Sequence, residues 1–369
     1  MMKYRSLPLS KALLFAVLLI LMMGFQSIAS TEQLDKAHSS SQQSPASSPV
    51  PMTIIAHRGA SGHLPEHTMA SKALAYGMGA DFLEQDVVMS KDGHLIVHHD
   101  LTLDATTNVK ALFPNRHRQD GHFYVIDFTL AELKTLSVSE RVNTSGIAKY
   151  PNRFPINTGE FKLHTLAEEL TLIQALNTSH NKQVGIYPEV KSPWFHHQAG
   201  KDISLAVLQT LKAFGYTQKS DKVFLQSFDA NELMRINSEL LPKLKMDIAL
   251  VQLIAFTDWQ ETKQRVGGKW QNYSYDWMFS AQGVAQVARY ADGIGPWFPM
   301  LVDDNWQASA LLTEAQRLNM TIHPYTFRIE DTPKRFASFE HWLQYTNKKL
   351  GITGVFTDFP ARAKSALMH

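Results

Sequence analysis

From Thr53 to the C-terminus, short apolar runs alternate with longer amphipathic stretches. The short runs are rich in β-branched and aromatic side chains and read as strands: Thr53–Ala56, Ala80–Asp86, Gly185–Val190, Val223–Gln226, Met246–Val251, Asp292–Gly295, Thr321–Tyr325 and Gly354–Thr357. The longer stretches read as helices over Thr68–Tyr76, Thr165–Asn177, Asp202–Phe214, Asp229–Leu240, Gly283–Tyr290, Gln307–Leu318 and Phe339–Leu350. Thr165 and Glu168 spell a capping box, and Asp202 and Asp229 stand where N-cap side chains accept backbone N–H groups. Eight strands with helices between them predict an α/β chain folded as a parallel (β/α)8 TIM barrel. An open doubly wound sheet is the alternative, but no G-x-G-x-x-G turn follows the first strand. Lys91-Asp92-Gly93 turns the second strand back into an antiparallel hairpin, Leu95–His99. A two-residue turn sets Asp86 opposite His99; a three-residue loop sets it opposite His98.

Two segments break the repeat. Residues 101–163, between the second strand and its helix, are too long for an ordinary connection and hold aromatics, prolines and charges, so they predict an inserted lobe over the barrel mouth. Residues 255–279, rich in Trp and Tyr, predict a second long loop on the same side. Before the barrel, Lys3, Arg5 and Lys11 precede an apolar run, Ala12–Phe25, and Ser27-Ile28-Ala29 has the small-x-small form of a cleavage site. Residues 1–29 therefore predict a cleaved signal peptide, and the apolar run is short for a membrane span. Residues 30–51, rich in Ser, Gln and Pro, predict a disordered leader to a domain spanning 52–369.

Composition narrows the partners. There are 36 basic and 34 acidic residues, so the chain without its signal is near neutral, and no basic stripe with interleaved aromatics points to nucleic acid. The absence of Cys excludes disulfides and a lipid-modified cysteine, which suits a periplasmic protein large enough to do without staples. No basic amphipathic helix is present to hold the mature chain on a membrane.

The chemistry concentrates at strand ends. On a strand, Glu84 and Asp86 point the same way, and two buried carboxylates together need a positive partner, for which a hard cation is suited. His57-Arg58 ends the first strand, Glu189-Val190-Lys191 the third, and Asp358 follows the eighth, as substrate ligand or as cap of the last helix. The hairpin returns an imidazole to the carboxylate pair. His196-His197 beside Trp194 lack the i, i+4 spacing of a helical zinc site and are expected to wall the pocket.

His57-Arg58-Gly59, Pro65-Glu66, Thr68, Gly79-Ala80-Asp81, Glu84-x-Asp86, Lys91-Asp92-Gly93, His99-Asp100, Glu189-x-Lys191 and Thr357-Asp358-Phe359-Pro360 together resemble the glycerophosphodiester phosphodiesterases. Pro193–His197 and Gly293-Ile294-Gly295-Pro296 resemble the bacterial periplasmic branch. The wider family often has Asn where His67 stands, which leaves the role of this position open. The resemblance implies hydrolysis of glycerophosphodiesters such as glycerophosphocholine and glycerophosphoethanolamine to sn-glycerol 3-phosphate and an alcohol. It implies one divalent cation on Glu84, Asp86 and Glu189, with Ca²⁺ favoured over Mg²⁺. It further implies that Arg58 and Lys191 bind the phosphate and that His57 and His99 act as base and acid. The nucleophile is either the glycerol 2-hydroxyl or water. A barrel phosphodiesterase acting on inositol phospholipid or sphingomyelin is the nearest rival, and a non-catalytic binding protein is the rival of a different class; a homodimer is open.

Overall fold

The computed structural model describes residues 51–367; the expected signal peptide and all but the last residue of the expected leader lie outside the described residues. Among the described residues eleven strands are formed: β1 (Thr53–Ala56), β2 (Phe82–Met89), β3 (Leu95–Val97), β4 (Gly185–Val190), β5 (Phe224–Ser227), β6 (Ala249–Ile254), β7 (Lys263–Val266), β8 (Lys269–Asn272), β9 (Gly293–Pro296), β10 (Thr321–Ile322) and β11 (Gly354–Thr357). Eight of them run parallel in the order β10-β9-β6-β5-β4-β2-β1-β11. The ends of this order meet. Phe356 N donates to Pro324 O at 3.0 Å, Phe327 N donates to Phe356 O at 2.8 Å, and Phe327 bridges Thr357 in parallel. The sheet thereby closes as a TIM barrel, with a helix following each barrel strand.

Alternation along the strands makes this a site-bearing barrel. Phe82, Glu84 and Asp86 share one face of β2; Tyr187 and Glu189 share one face of β4; Phe224 and Gln226 share one face of β5. The first member of each set packs an aromatic plug with Ile55, Val251 and Phe356. The later members are polar and line a cavity at the C-terminal ends of the strands. Glycine makes room for the plug: a Cβ on Gly185 would strike the Phe82 ring, and one on Gly354 the His323 ring. His323 is itself tied to the plug by Tyr187, whose hydroxyl lies 3.0 Å from its Nδ1.

The helix starts follow their sequence signals. Thr165 and Glu168 form the reciprocal capping box, and Asp202 and Asp229 accept from the third residue of their helices. Several boundaries move. β6 begins three residues later than expected and runs through Gln252, a polar residue that looks like a strand end but is fully buried and bonded to Phe228 O and Tyr290 Oη. β10 ends before Pro324, which has no N–H to extend the ladder. The segment read as a plain loop from Ala255 to Phe279 contains the antiparallel pair β7–β8. β3 pairs Val87 with Val97 and Met89 with Leu95, so the three-residue loop is the one adopted, and His98 N donates to Asp86 O.

Residues 101–163 carry short helices at Val109–Leu112 and Leu130–Thr135 and share a hydrophobic cluster with Val88 and Ile96. Among the described residues, no helix is long and apolar enough to cross a membrane.

Candidate active site

β1 ends in a turn that delivers His57 and Arg58. Arg58 adopts φ 59° and Gly59 φ 90°, conformations that cost free energy in most residues and recur where a site fixes the backbone. The turn aims Arg58 N at Glu84, 2.6 Å from Oε2. A Cβ on Gly59 would lie 2.6 Å from Ser71 Oγ, so only glycine suits both the angle and the space. Gly59→Ala is expected to destabilise the fold by about 1–3 kcal/mol. Urea unfolding checks this, and a change within about 0.5 kcal/mol would place the turn elsewhere.

The seven side chains singled out by sequence gather at one end of the barrel. His57, Arg58, Glu84, Asp86, His99 and Glu189 line one cavity of about 340 Å³. Lys191 lies just behind the lining, 2.9 Å from Glu189 Oε1 and 3.8 Å from Asp86 Oδ1. Asp86 and Glu189 are register partners on β2 and β4. Within this cavity's surroundings, however, the group whose ligand atoms lie within 4.8 Å of one another is His67, Glu84 and Asp86, whereas Glu189 is engaged by Lys191; a second such group, His197, Asp202 and Glu232, lies outside the cavity lining. His67 was not assigned a role from sequence. It is buried at φ 54°, with Nε2 2.7 Å from Asp86 Oδ2, and so orients that carboxylate.

The electrostatics describe a site built for added positive charge. Burial, then the charge of Asp86, pushes the Glu84 carboxyl well above its usual range. Burial also raises Glu189, with Asp86 adding to it and Lys191 opposing. Asp86 goes the other way: burial opposes its ionisation, but His99, Lys191 and His67 outweigh that and hold it well below the usual range. Its Oδ1 is buried and, among the described residues, has no hydrogen-bond partner. An orphaned carboxylate oxygen beside two carboxyls that resist ionisation is a donor set that fits a hard divalent cation.

Both histidines are held in the same manner. His57 Nδ1 lies 2.7 Å from Asp358 Oδ1, and His99 Nδ1 lies 2.5 Å from Asp100 Oδ1, leaving Nε2 of each as the nitrogen available to the cavity. Asp358 is gripped in turn by Arg328 and Arg153, each at 2.8 Å. It does not cap the last helix, whose N-cap is Phe359. Burial and Arg58 bring His57 down to about 4; burial, Arg58 and Lys191 bring His99 down to about 3. Both rings are neutral at pH 7.

A chain of ion pairs joins the two sides. Arg58 Nη1 donates to Glu66 at 3.0 Å; Arg141 binds Glu66 through Nε and Nη2 and reaches Asp100 through Nη1 at 2.6 Å. Arg141 and Lys149 come from the long insertion and carry no motif that marks them in the sequence. Lys149 lines the cavity; among the described residues its ammonium makes no hydrogen bond or ion pair and lies 5.6 Å from the Tyr150 ring centroid, and burial with Arg141, Arg328 and Arg58 nearby lowers its pKa. The expectation that His196 and His197 beside Trp194 wall the pocket fails. His196 accepts from Met89 N at 3.1 Å, Trp194 packs on Trp270, and none of the three lines the cavity.

Comparison with known proteins gives one answer. Residues 57–362 match the model of the glycerophosphoryl diester phosphodiesterase family. The chain is 51% identical over 317 residues to a Haemophilus influenzae glycerophosphodiester phosphodiesterase, covering 83% of this chain and 87% of that one. It is 45% identical to the Treponema pallidum glycerophosphodiester phosphodiesterase, with 83% and 89% covered. In fold it is similar to an Oleispira antarctica phosphodiesterase solved with the product sn-glycerol-3-phosphate, at TM-score 0.55 and 20% identity over 86% of this chain and 97% of that one. It is also similar in fold to an Agrobacterium tumefaciens glycerophosphodiester phosphodiesterase, at TM-score 0.53 and 19% identity over 85% and 99%.

Proposed function

This chain belongs to the glycerophosphoryl diester phosphodiesterase family and hydrolyses glycerophosphodiesters, and we propose that it does so with one divalent cation and two histidines. The substrates are deacylated phospholipids such as glycerophosphocholine and glycerophosphoethanolamine, and the products are sn-glycerol 3-phosphate and the free alcohol. The observation that carries this reading is the matched pair His57–Asp358 and His99–Asp100 facing one cavity with Arg58 and three buried carboxylates.

Glu84, Asp86 and Glu189 would hold the cation, Ca²⁺ in preference to Mg²⁺, with His67 fixing Asp86 from behind. Bound there, it would supply positive charge against the charge that builds on the phosphate oxygens. Arg58 offers a planar fork to two phosphate oxygens, and Lys191 adds a fixed point charge. His57, kept neutral by burial and Arg58, takes the proton of the attacking hydroxyl on Nε2, and Asp358 steadies the imidazolium that results. His99, protonated on Nε2 once substrate is bound, gives that proton to the leaving oxygen. A phosphodiester seated on Arg58 and Lys191 offsets two of the charges that depress His99, so binding of substrate raises its pKa toward that task. The pattern of residues 1–29 supports placing the reaction in the periplasm.

The test is release of sn-glycerol 3-phosphate from glycerophosphocholine by purified protein, before and after dialysis against a chelator. Release that stops on chelation and returns with Ca²⁺ supports the proposal. An undiminished rate in the chelated protein would remove the cation from it.

A further inference from the structure

The cavity opens through an aromatic mouth that the reaction centre leaves unused. Trp259 and Trp297 meet there edge to face, with ring centroids 5.3 Å apart and planes at 70°. Phe256 packs edge-on against both, 5.3 Å from Trp259 and 6.2 Å from Trp297. All three rings are more than a third exposed, at 39% for Phe256 and Trp259 and 37% for Trp297. Large rings gathered and left in water beside a polar cavity mark a contact surface for a ligand.

Glu261 lines the same cavity and is half-buried. Among the described residues its carboxylate makes no hydrogen bond or ion pair, although its field reaches Lys191 and Tyr325. The other acids of the lining are engaged: Glu84 by Arg58 N, Asp86 by His67, Glu189 by Lys191. Glu261 is therefore the negative charge left over, set in a wall shared with two indoles.

We propose that Trp259, Trp297 and Glu261 form the subsite for the headgroup of the substrate, and that it takes a trimethylammonium group. The proposal rests on the reading above, in which the phosphate sits on Arg58 and Lys191. A quaternary ammonium carries charge without N–H donors, so ring faces and a nearby carboxylate that need not hydrogen-bond it are its natural partners. An anionic headgroup would be repelled by Glu261. A neutral polyol would leave both the rings and the carboxylate without a matching group. The fit also assigns a purpose to the Trp-rich segment after β6, whose 3₁₀ turn Thr257–Trp259 presents Trp259.

The test compares kcat/KM for glycerophosphocholine and glycerophosphoglycerol in the parent enzyme, Glu261→Gln and Trp259→Ala. The choline-to-glycerol ratio is expected to fall about tenfold in each variant, the scale of one partly shielded cation–π or charge contact. Turnover of glycerophosphoglycerol reports that each variant is folded. Calorimetric titration with choline chloride supplies a readout that needs no reaction, and binding is expected to weaken in both variants. A ratio unchanged from the parent, or an equal loss on both substrates, would overturn the subsite while the hydrolytic reading stood. A parent protein that binds choline through Glu261 but cleaves neither substrate would leave the subsite standing and overturn the reading it rests on.

Discussion

His57→Ala and His99→Ala each lower kcat for glycerophosphocholine by about 10³-fold, within the range that positioned proton transfer usually contributes. Neither ring supports the fold in a way that would explain such a loss. His57 touches Asp358 and the edge of Phe356, and His99 touches Asp100 on a partly exposed rim. Cation binding, read by calorimetry, and unfolding by urea should stay near those of the parent protein. The carboxylates behind them give a finer check. Asp358→Asn removes the acceptor that fixes the His57 tautomer while keeping its size, so turnover should fall although the cavity keeps its shape. The pH profile follows from the direction of the shift. His57 is moved down to about 4, so its neutral, proton-accepting form persists well below the pH at which an ordinary histidine would become charged. With cation saturating, kcat/KM should therefore not fall as pH is lowered from 7 to 5, a rise there reporting protonation of the acid His99, and should decline only as pH approaches 4. Parent-like turnover in both alanine variants would defeat the pairing outright.

The sequence carried the strand ends better than it carried what stands behind them. Glu84-x-Asp86 and Glu189-x-Lys191 are legible because alternation on a strand puts i and i+2 on one face, and because polar residues at the end of an apolar run are conspicuous. Asp100 and Asp358 were visible as residues but not as ring partners. One is adjacent in sequence to its histidine and looks like turn chemistry; the other lies 301 residues from His57 and meets it only because β1 and β11 pair. Arg141 and Lys149 left no signal at all, since an irregular insertion has no periodicity from which a direction can be read. Trp194, His196 and His197 misled for a related reason. Aromatics and histidines after β4 suggest a wall, but the short helix they form packs them against the β2 backbone and the β7–β8 hairpin instead. The hairpin register was decided by the loop length, which the dipeptide Asp92-Gly93 does not fix by itself.

Removing the divalent cation is expected to abolish turnover and to reverse the pH dependence of stability near neutrality. Without the ion, Glu84 and Glu189 are both pushed above the ordinary carboxyl range, by burial first and by Asp86 as well. A group whose pKa is higher folded than unfolded contributes stability that is present below its unfolded pKa and is lost as pH rises through the folded value. The two glutamates therefore contribute stability that is lost as pH rises from about 4.5, while His57, His67, His99, His196 and His323, all held low by burial, contribute stability gained until pH passes about 6.5, so the chelated protein should show its net loss above about pH 6.5. Asp86 acts oppositely, its lowered pKa contributing stability that is lost only in strong acid, so it does not mask this slope. A divalent ion requires the carboxylates deprotonated, so its binding must release protons and tighten as pH rises. By mass action, ion at 100 times its dissociation constant adds about 2.7 kcal/mol of stability. Thermal unfolding at pH 5, 6, 7 and 8, with chelator and with Ca²⁺, reads both slopes. Calorimetry in buffers of different ionisation enthalpy counts the protons released. Glu189→Gln should weaken binding and shrink the proton count, because it removes one of the two carboxyls that resist ionisation. Parallel stability curves with and without the ion, or binding that is independent of pH, would show that the three acids do not share a cation.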